Sequence, residues 1–165
     1  MGLLDALFRS DEVIGIARET VEFALESAER SHPNEFMGKL RATPAEELGL
    51  ARDGRVITDV LVSPGTTSGP TSATMKSFLV PNDLKSVGSV HSHPNGALHP
   101  SEQDLQTFGR GDVHIIIGAP YGVGDWRAFD RTGEAIDLEV IDVRLPDPSD
   151  FFDFTQADLD EELVR

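Results

Sequence analysis

The chain has 165 residues, 29 of them acidic against 14 basic, and a formal net charge of −15. Such a surface repels phosphate backbones and anionic headgroups, so neither nucleic acid nor a membrane is expected as a partner. There is no cysteine, which excludes disulfides, thiolate ligands and cysteine nucleophiles and leaves His, Asp and Glu as the side chains able to hold a metal.

At this length, with 39% hydrophobic residues, one domain with a real core is expected. Only three of the basic residues are lysine (Lys39, Lys76, Lys85), the rest being arginine. High acidity with scarce lysine fits a protein kept soluble in concentrated salt. The opening MGLLDALFRS has neither a basic start nor a small-residue cleavage site, so no signal peptide is expected. Position 6 is Ala, which breaks the myristoylation pattern. No apolar run approaches the ~18 residues of a membrane span. A cytoplasmic, soluble protein is the expectation.

Taken in order, Asp11 to about Arg30 reads as an amphipathic helix. Val13, Ala17, Val21, Ala24 and Ala28 step by four or three, with Ile14 and Leu25 beside them. Ser10 would cap it, and Asp11 and Glu12 would suit its positive end. SHPN stops the helix at Pro33. Glu35 to Thr43 alternates as a strand, and Arg55 to Val62 is a second. The Gly/Pro/Ser-rich segment from Pro64 to Ser72 is a loop, and Pro81 to Lys85 a short turn or helical segment. VGSVHSH is the next strand, ended by Pro94. Ser101 caps a helix running to about Phe108. Val113 to Gly118 (VHIIIG) is apolar nearly throughout, the mark of a central buried strand. Trp126 to Asp130 and Ala135 to Val143, joined by a turn at RTG, form a closing hairpin. From Pro146 onward the composition turns acidic, with Phe151, Phe152 and Phe154 among the charges. The expected organisation is therefore one α/β domain over residues 1–145 and an acidic tail over 146–165.

The chemistry concentrates in SVHSHPNGALHPSEQD, Ser89–Asp104. His91 and His93 lie one residue apart on a strand and so point the same way, with Ser92 opposite. Past a turn, the helix start brings a hydroxyl and a carboxylate, Ser101 and Asp104, at i and i+3. Taken alone, that pair is a capping arrangement. Together with two same-face histidines it converges on one point, and two imidazoles and a carboxylate form a three-ligand metal set with a position left for water. His32, His99 and His114 read as turn, solvated and strand-structural residues respectively.

These residues carry a resemblance. The order His91-Ser92-His93-Pro94, six residues, Ser101, two residues, Asp104 matches the JAMM/MPN metalloprotease signature, and the upstream P-x-E-x-x-G pattern is present as Pro33-Asn34-Glu35-Phe36-Met37-Gly38. The chain resembles that family over about residues 10 to 143 and, within it, is most similar to the haloarchaeal desampylases. The resemblance implies a single-domain JAMM/MPN (cytidine-deaminase-like) fold, a mixed central β-sheet flanked by helices. It also implies a metallo-isopeptidase with one Zn²⁺ on His91, His93 and Asp104. Glu35 would be the proton-transferring base, and Ser101 would steady the water or the developing oxyanion. The partner would be a ubiquitin-like (β-grasp) modifier, cleaved from lysine conjugates or linear fusions, its tail extended beside a sheet edge. Without the family, Glu35 is one carboxylate among many.

Three other readings stand beside this one. A non-catalytic MPN scaffold would lack part of the metal set, which is complete here. A non-haem Fe(II) centre also uses two His and one carboxylate, but needs neither the serine nor the upstream glutamate. Hydrolytic processing of a sulfur-carrier protein shares the chemistry and differs in substrate.

Overall fold

Val113–Gly118 is buried at every position, and its faces explain why. Ile115 and Ile117 join the large core cluster with Leu40, Ile57 and Val90, while Ile116 turns the other way onto Phe108 and Phe129. A strand apolar on both faces is a central strand. It is β5 of the computed structural model, which describes residues 11–62 and 85–145.

The described elements are β1 (Val13–Ala17), α1 (Arg18–Ser31), β2 (Met37–Pro44), a short 3₁₀ turn (Ala45–Leu48), β3 (Arg55–Val62), β4 (Ser86–His93), α2 (Glu102–Phe108), β5 (Val113–Gly118), β6 (Trp126–Phe129), β7 (Ala135–Ile136) and β8 (Glu139–Ile141). The strands form one mixed sheet in the order β7-β6-β5-β4-β2-β3-β1-β8. β4 pairs antiparallel with β2 and parallel with β5. The long helix α1 covers one face through Val21, Ala24, Leu25 and Ala28, and its Thr20 hydroxyl donates to the Thr58 carbonyl at 2.9 Å.

The expected mixed α/β domain is present, with two corrections. Residues 13–17 are a strand, and the helix begins only at Arg18, after Ala17, which offers no side-chain cap. A spacing of four residues satisfies the strand period as well as the helix period, so Val13, Ala17 and Val21 did not discriminate. Gly15 decides the matter: a Cβ there would lie 2.6 Å from Ile141 and 2.7 Å from the Glu139 carbonyl. The residue is the gap that admits β8, which pairs parallel with β1. Asp11 and Glu12 therefore precede a strand rather than charge a helix end, and Ser10 lies outside the described residues.

The second correction concerns Ala135 to Val143. Ala135–Ile136 does pair with β6, but Glu139–Ile141 pairs with β1 at the opposite edge. Two residues, Asp137 and Leu138, connect those edges, and three steps of chain span at most about 11 Å. The sheet is thus curled until its edges nearly meet. The loop from Pro64 to Ser72, most of the turn at 81–85 and the acidic tail from residue 146 fall outside the described residues.

The β4–β5 pairing depends on Gly88. A Cβ at that position would lie 1.5 Å from the Val113 carbonyl oxygen, which no rotamer change relieves. Gly88→Ala is expected to destabilise the fold by about 3 kcal/mol or more, the upper end of overpacking costs. Gly109 has a helical φ of −62° and open space around it; Gly109→Ala is expected to be neutral or to gain about 0.4–1 kcal/mol. Denaturant unfolding of both variants checks the contrast.

Candidate metal centre

β4 delivers His91 and His93 to the face that carries α2, and α2 brings Asp104 to meet them. His91 Nε2 lies 2.9 Å from Asp104 Oδ1, His93 Nε2 lies 3.1 Å from Asp104 Oδ2, and the two Nε2 atoms are 3.2 Å apart. The three side chains are 8%, 13% and 14% exposed, so their charges have little water to solvate them. Among the described residues this is the one cluster of three or more His, Asp and Glu able to hold a metal ion.

The donor chemistry tests whether a cation fits. His93 Nδ1 donates to the Ala97 carbonyl at 2.9 Å, so in the neutral ring Nε2 carries a lone pair. That lone pair faces a carboxylate oxygen and a second imidazole nitrogen. Three lone-pair atoms at this spacing need protons or a cation among them. Ligands about 2.0–2.1 Å from a tetrahedral zinc are separated by ~3.3 Å, close to the separations found.

Protons are the alternative to a cation. His93 is raised by its hydrogen bond with Asp104, with burial opposing and Ala97, Asp104 and Glu35 reinforcing. Burial alone would raise Asp104, but hydrogen bonds from His91 and His93 overcome it and hold the carboxyl far below the usual range. Proton and metal therefore compete for the same atoms.

Asp104 also completes a helix cap. The Ser101 N–H donates to Asp104 Oδ2 at 2.7 Å, and the Asp104 N–H donates to Ser101 Oγ at 3.1 Å. The capping box expected from the spacing is present, and it coexists with the metal set because the cap occupies Oδ2 and leaves Oδ1 to His91. Ser101 Oγ accepts from the helix backbone and keeps its own proton to donate. Ser101 is exposed.

Glu35 stands just before β2, half-buried. Phe36 N–H donates to Ser92 Oγ at 2.8 Å, and Ser92 N–H donates to the Phe36 carbonyl at 2.9 Å. Ser92, wholly buried and next to both histidines in sequence, thus ties the Glu35 segment to the strand of His91 and His93, and the Glu35 charge reaches His93. Sequence reading placed Ser92 on the opposite face but missed this tie, which an alternation rule cannot supply. Two further contacts were missed. Asn95 Oδ1 accepts the Ala97 N–H at 3.0 Å, shaping the turn whose carbonyl orients His93; the Asn-Gly pair after Pro94 was the available signal. His32 Nδ1 and the Tyr121 hydroxyl are hydrogen-bonded at 2.6 Å, linking the loop after β5 to the approach to Glu35. His99 is exposed.

A mixed sheet with a helix on each face and a His-His-Asp set between a central strand and a short helix defines the class of JAB1/MPN domains. A JAB1/MPN domain protein from Archaeoglobus fulgidus superposes with a TM-score of 0.58 at 31% identity, over 78% of this chain and 99% of that one. A structure presented as a JAMM, a metalloprotease-like zinc site in the proteasome and signalosome, superposes equally well, with a TM-score of 0.58 at 30% identity over 79% and 99%. Residues 13–150 match the family of halobacterial JAB/MPN domain proteins, and the chain belongs to that family. A probable metalloprotease of Haloferax volcanii is 60% identical over 159 residues, covering 96% of this chain and 99% of the relative.

Proposed function

We propose that the protein is a zinc-dependent isopeptidase that releases ubiquitin-like modifiers from lysine conjugates or linear fusions. The observation carrying this reading is the convergence of His91, His93 and Asp104, with the Glu35 charge acting on His93. The probable metalloprotease relative and the JAMM zinc-site neighbour support the metal and the reaction class. Zinc bound there would acidify water and polarise a carbonyl. Glu35 takes the water's proton and returns one to the departing lysine amine, work that needs a carboxylate free of a capping or structural bond. Ser101 donates its remaining proton toward the oxygen on which charge develops; one such donor is commonly worth about 2.7–4 kcal/mol. The modifier is proposed as the substrate on the resemblance to the desampylases, whose narrow channel to the metal would admit a glycine-ended tail and little side chain. The acidic surface disfavours nucleic acid and anionic membranes, and among the described residues no helix is long and apolar enough to cross a membrane. A cytoplasmic location goes with this substrate.

Incubation with a β-grasp modifier joined to lysine through its C-terminus, at high and low salt and with and without a zinc chelator, tests the proposal. Chelator-sensitive release of intact modifier is expected. Zinc-loaded protein that leaves every such conjugate intact would overturn the isopeptidase assignment.

A further inference from the structure

We infer that His114 is a positioning residue of the metal centre, bracketing the helix that carries Asp104 against the strand that carries His91 and His93. The inference rests on the proposed metal-binding role of those three residues.

The need for a bracket follows from α2 itself. Seven residues make about two turns, too few to be stable in isolation, and Phe108 is its one buried residue. Leu105, in the middle, is 43% exposed. Apart from Leu105 lying over Gly133, the helix is held by its ends, with the Ser101–Asp104 box at the start and Phe108 at the finish. The Phe108 ring lies flat on the His114 imidazole, with centroids 4.2 Å apart and planes 5° apart. His114 Nε2 lies 2.7 Å from the Phe108 carbonyl and 3.0 Å from the Gly111 carbonyl. Both are acceptors, so the proton resides on Nε2 and Nδ1 is left to accept. Its partner is the Ser89 hydroxyl at 2.8 Å.

Ser89 is the residue of β4 that pairs in register with His114, and it stands two residues before His91 on the same face. One ring thereby joins the end of α2, the strand β5 and the ligand-bearing face of β4. A strand histidine serving only β5 would need neither the helix carbonyl nor the neighbouring strand's hydroxyl. The loop after α2 adds a backbone contact of its own, Asp112 N–H to the Val87 carbonyl at 2.7 Å. That contact fixes where the loop meets β4, while His114 holds the helix terminus and its aromatic anchor. A displacement of Asp104 by one ångström would break a set whose members are 2.9–3.2 Å apart.

The test measures zinc affinity of the full chain by competition with a chromophoric chelator, and the visible spectrum of the Co²⁺-loaded protein. His114→Gln can return a donor to the helix carbonyls, whereas His114→Asn can reach Ser89 only. His114→Asn is expected to weaken zinc binding about 10–100-fold, the usual effect of removing a group that orients a ligand, and to alter the Co²⁺ spectrum. His114→Gln should recover most of the affinity. Ile57→Val, in the main core away from the site, provides a thermally weakened comparison whose affinity should stay at the wild-type value. Wild-type affinity and spectrum in His114→Asn, or a loss matched by Ile57→Val, would overturn the bracket while leaving the metal centre intact. A wild-type chain that binds no zinc would instead overturn the metal reading, and the bracket with it. Should His114→Asn fail to fold, Ser89→Ala removes the strand tie alone and is expected to weaken zinc severalfold; unchanged affinity there counts against the inference.

Discussion

Glu35→Gln is expected to bind metal as the wild type does and to cleave a modifier–lysine conjugate about 10²–10⁴-fold more slowly, the usual contribution of a positioned acid–base group. The substitution keeps size and shape and removes the ability to take a proton, together with the charge that reaches His93. Glu35 lies outside the His-His-Asp cluster, so the ligand set stays whole. Its segment is anchored through the Phe36 backbone on Ser92, so the fold does not depend on the carboxylate. Metal content by elemental analysis and single-turnover cleavage on one preparation measure both halves. Cleavage near the wild-type rate would remove Glu35 from the chemistry; loss of metal would make it a ligand instead.

Asp104→Asn separates two roles that the sequence superimposes. An asparagine carbonyl can still accept the Ser101 N–H, so the cap survives in large part and the helix start should lose no more than about 1 kcal/mol. The negative charge facing the histidines disappears. Metal affinity is expected to fall by at least 10²-fold and cleavage with it, while thermal unfolding of the metal-free protein moves only modestly on the alkaline side, where His93 is neutral, and more in mild acid, where the His93–Asp104 pair is lost. If Asp104 were a cap alone, neither metal nor cleavage would respond.

The same site sets a pH dependence. In the metal-free protein His93 is raised above its ordinary value of 6.5 by Asp104. Its stabilising contribution is complete below 6.5 and is lost as pH rises through the raised value. Asp104 is depressed from 3.8; its contribution is present above that ordinary value and lost as pH falls through the depressed one. The pair therefore stabilises the metal-free chain across the mildly acidic range. Metal must displace the His93 proton, so its affinity rises with pH. The rise in melting temperature on adding zinc is expected to be large on the alkaline side and to shrink on acidification, which a thermal-shift series across pH measures.

The ligand strand was legible because its signals agree. Alternation puts His91 and His93 on one face, Pro94 ends the run, and Ser101 with Asp104 marks a helix start. β5 was legible from its unbroken apolar run. Residues 13–17 were not, since a four-residue repeat serves both periods and the partner strand β8 is more than a hundred residues away. The fate of Glu139–Ile141 was hidden for a similar reason: local sequence specifies a strand, while the curl of the sheet specifies which edge it joins. Glu35 was reachable only through the signature pattern. Its proximity to His93 comes from β2–β4 pairing and the Ser92 tie, which no local spacing encodes. Ser89 and His114 lie 25 residues apart, and their bond arises from the parallel register of β4 and β5.

The curl has a consequence for a protein built for brine. A charge of −15 keeps molecules apart in dilute buffer, but in molar salt the screening length falls to about 3 Å and that repulsion vanishes. Exposed strand edges then become adhesive, since they offer unpaired backbone donors and acceptors to any neighbouring copy. Here the two outermost strands, Ala135–Ile136 and Glu139–Ile141, are two and three residues long and lie within a short link of one another. Edges this short offer a neighbouring copy little backbone to pair with, and salt does not screen that geometry.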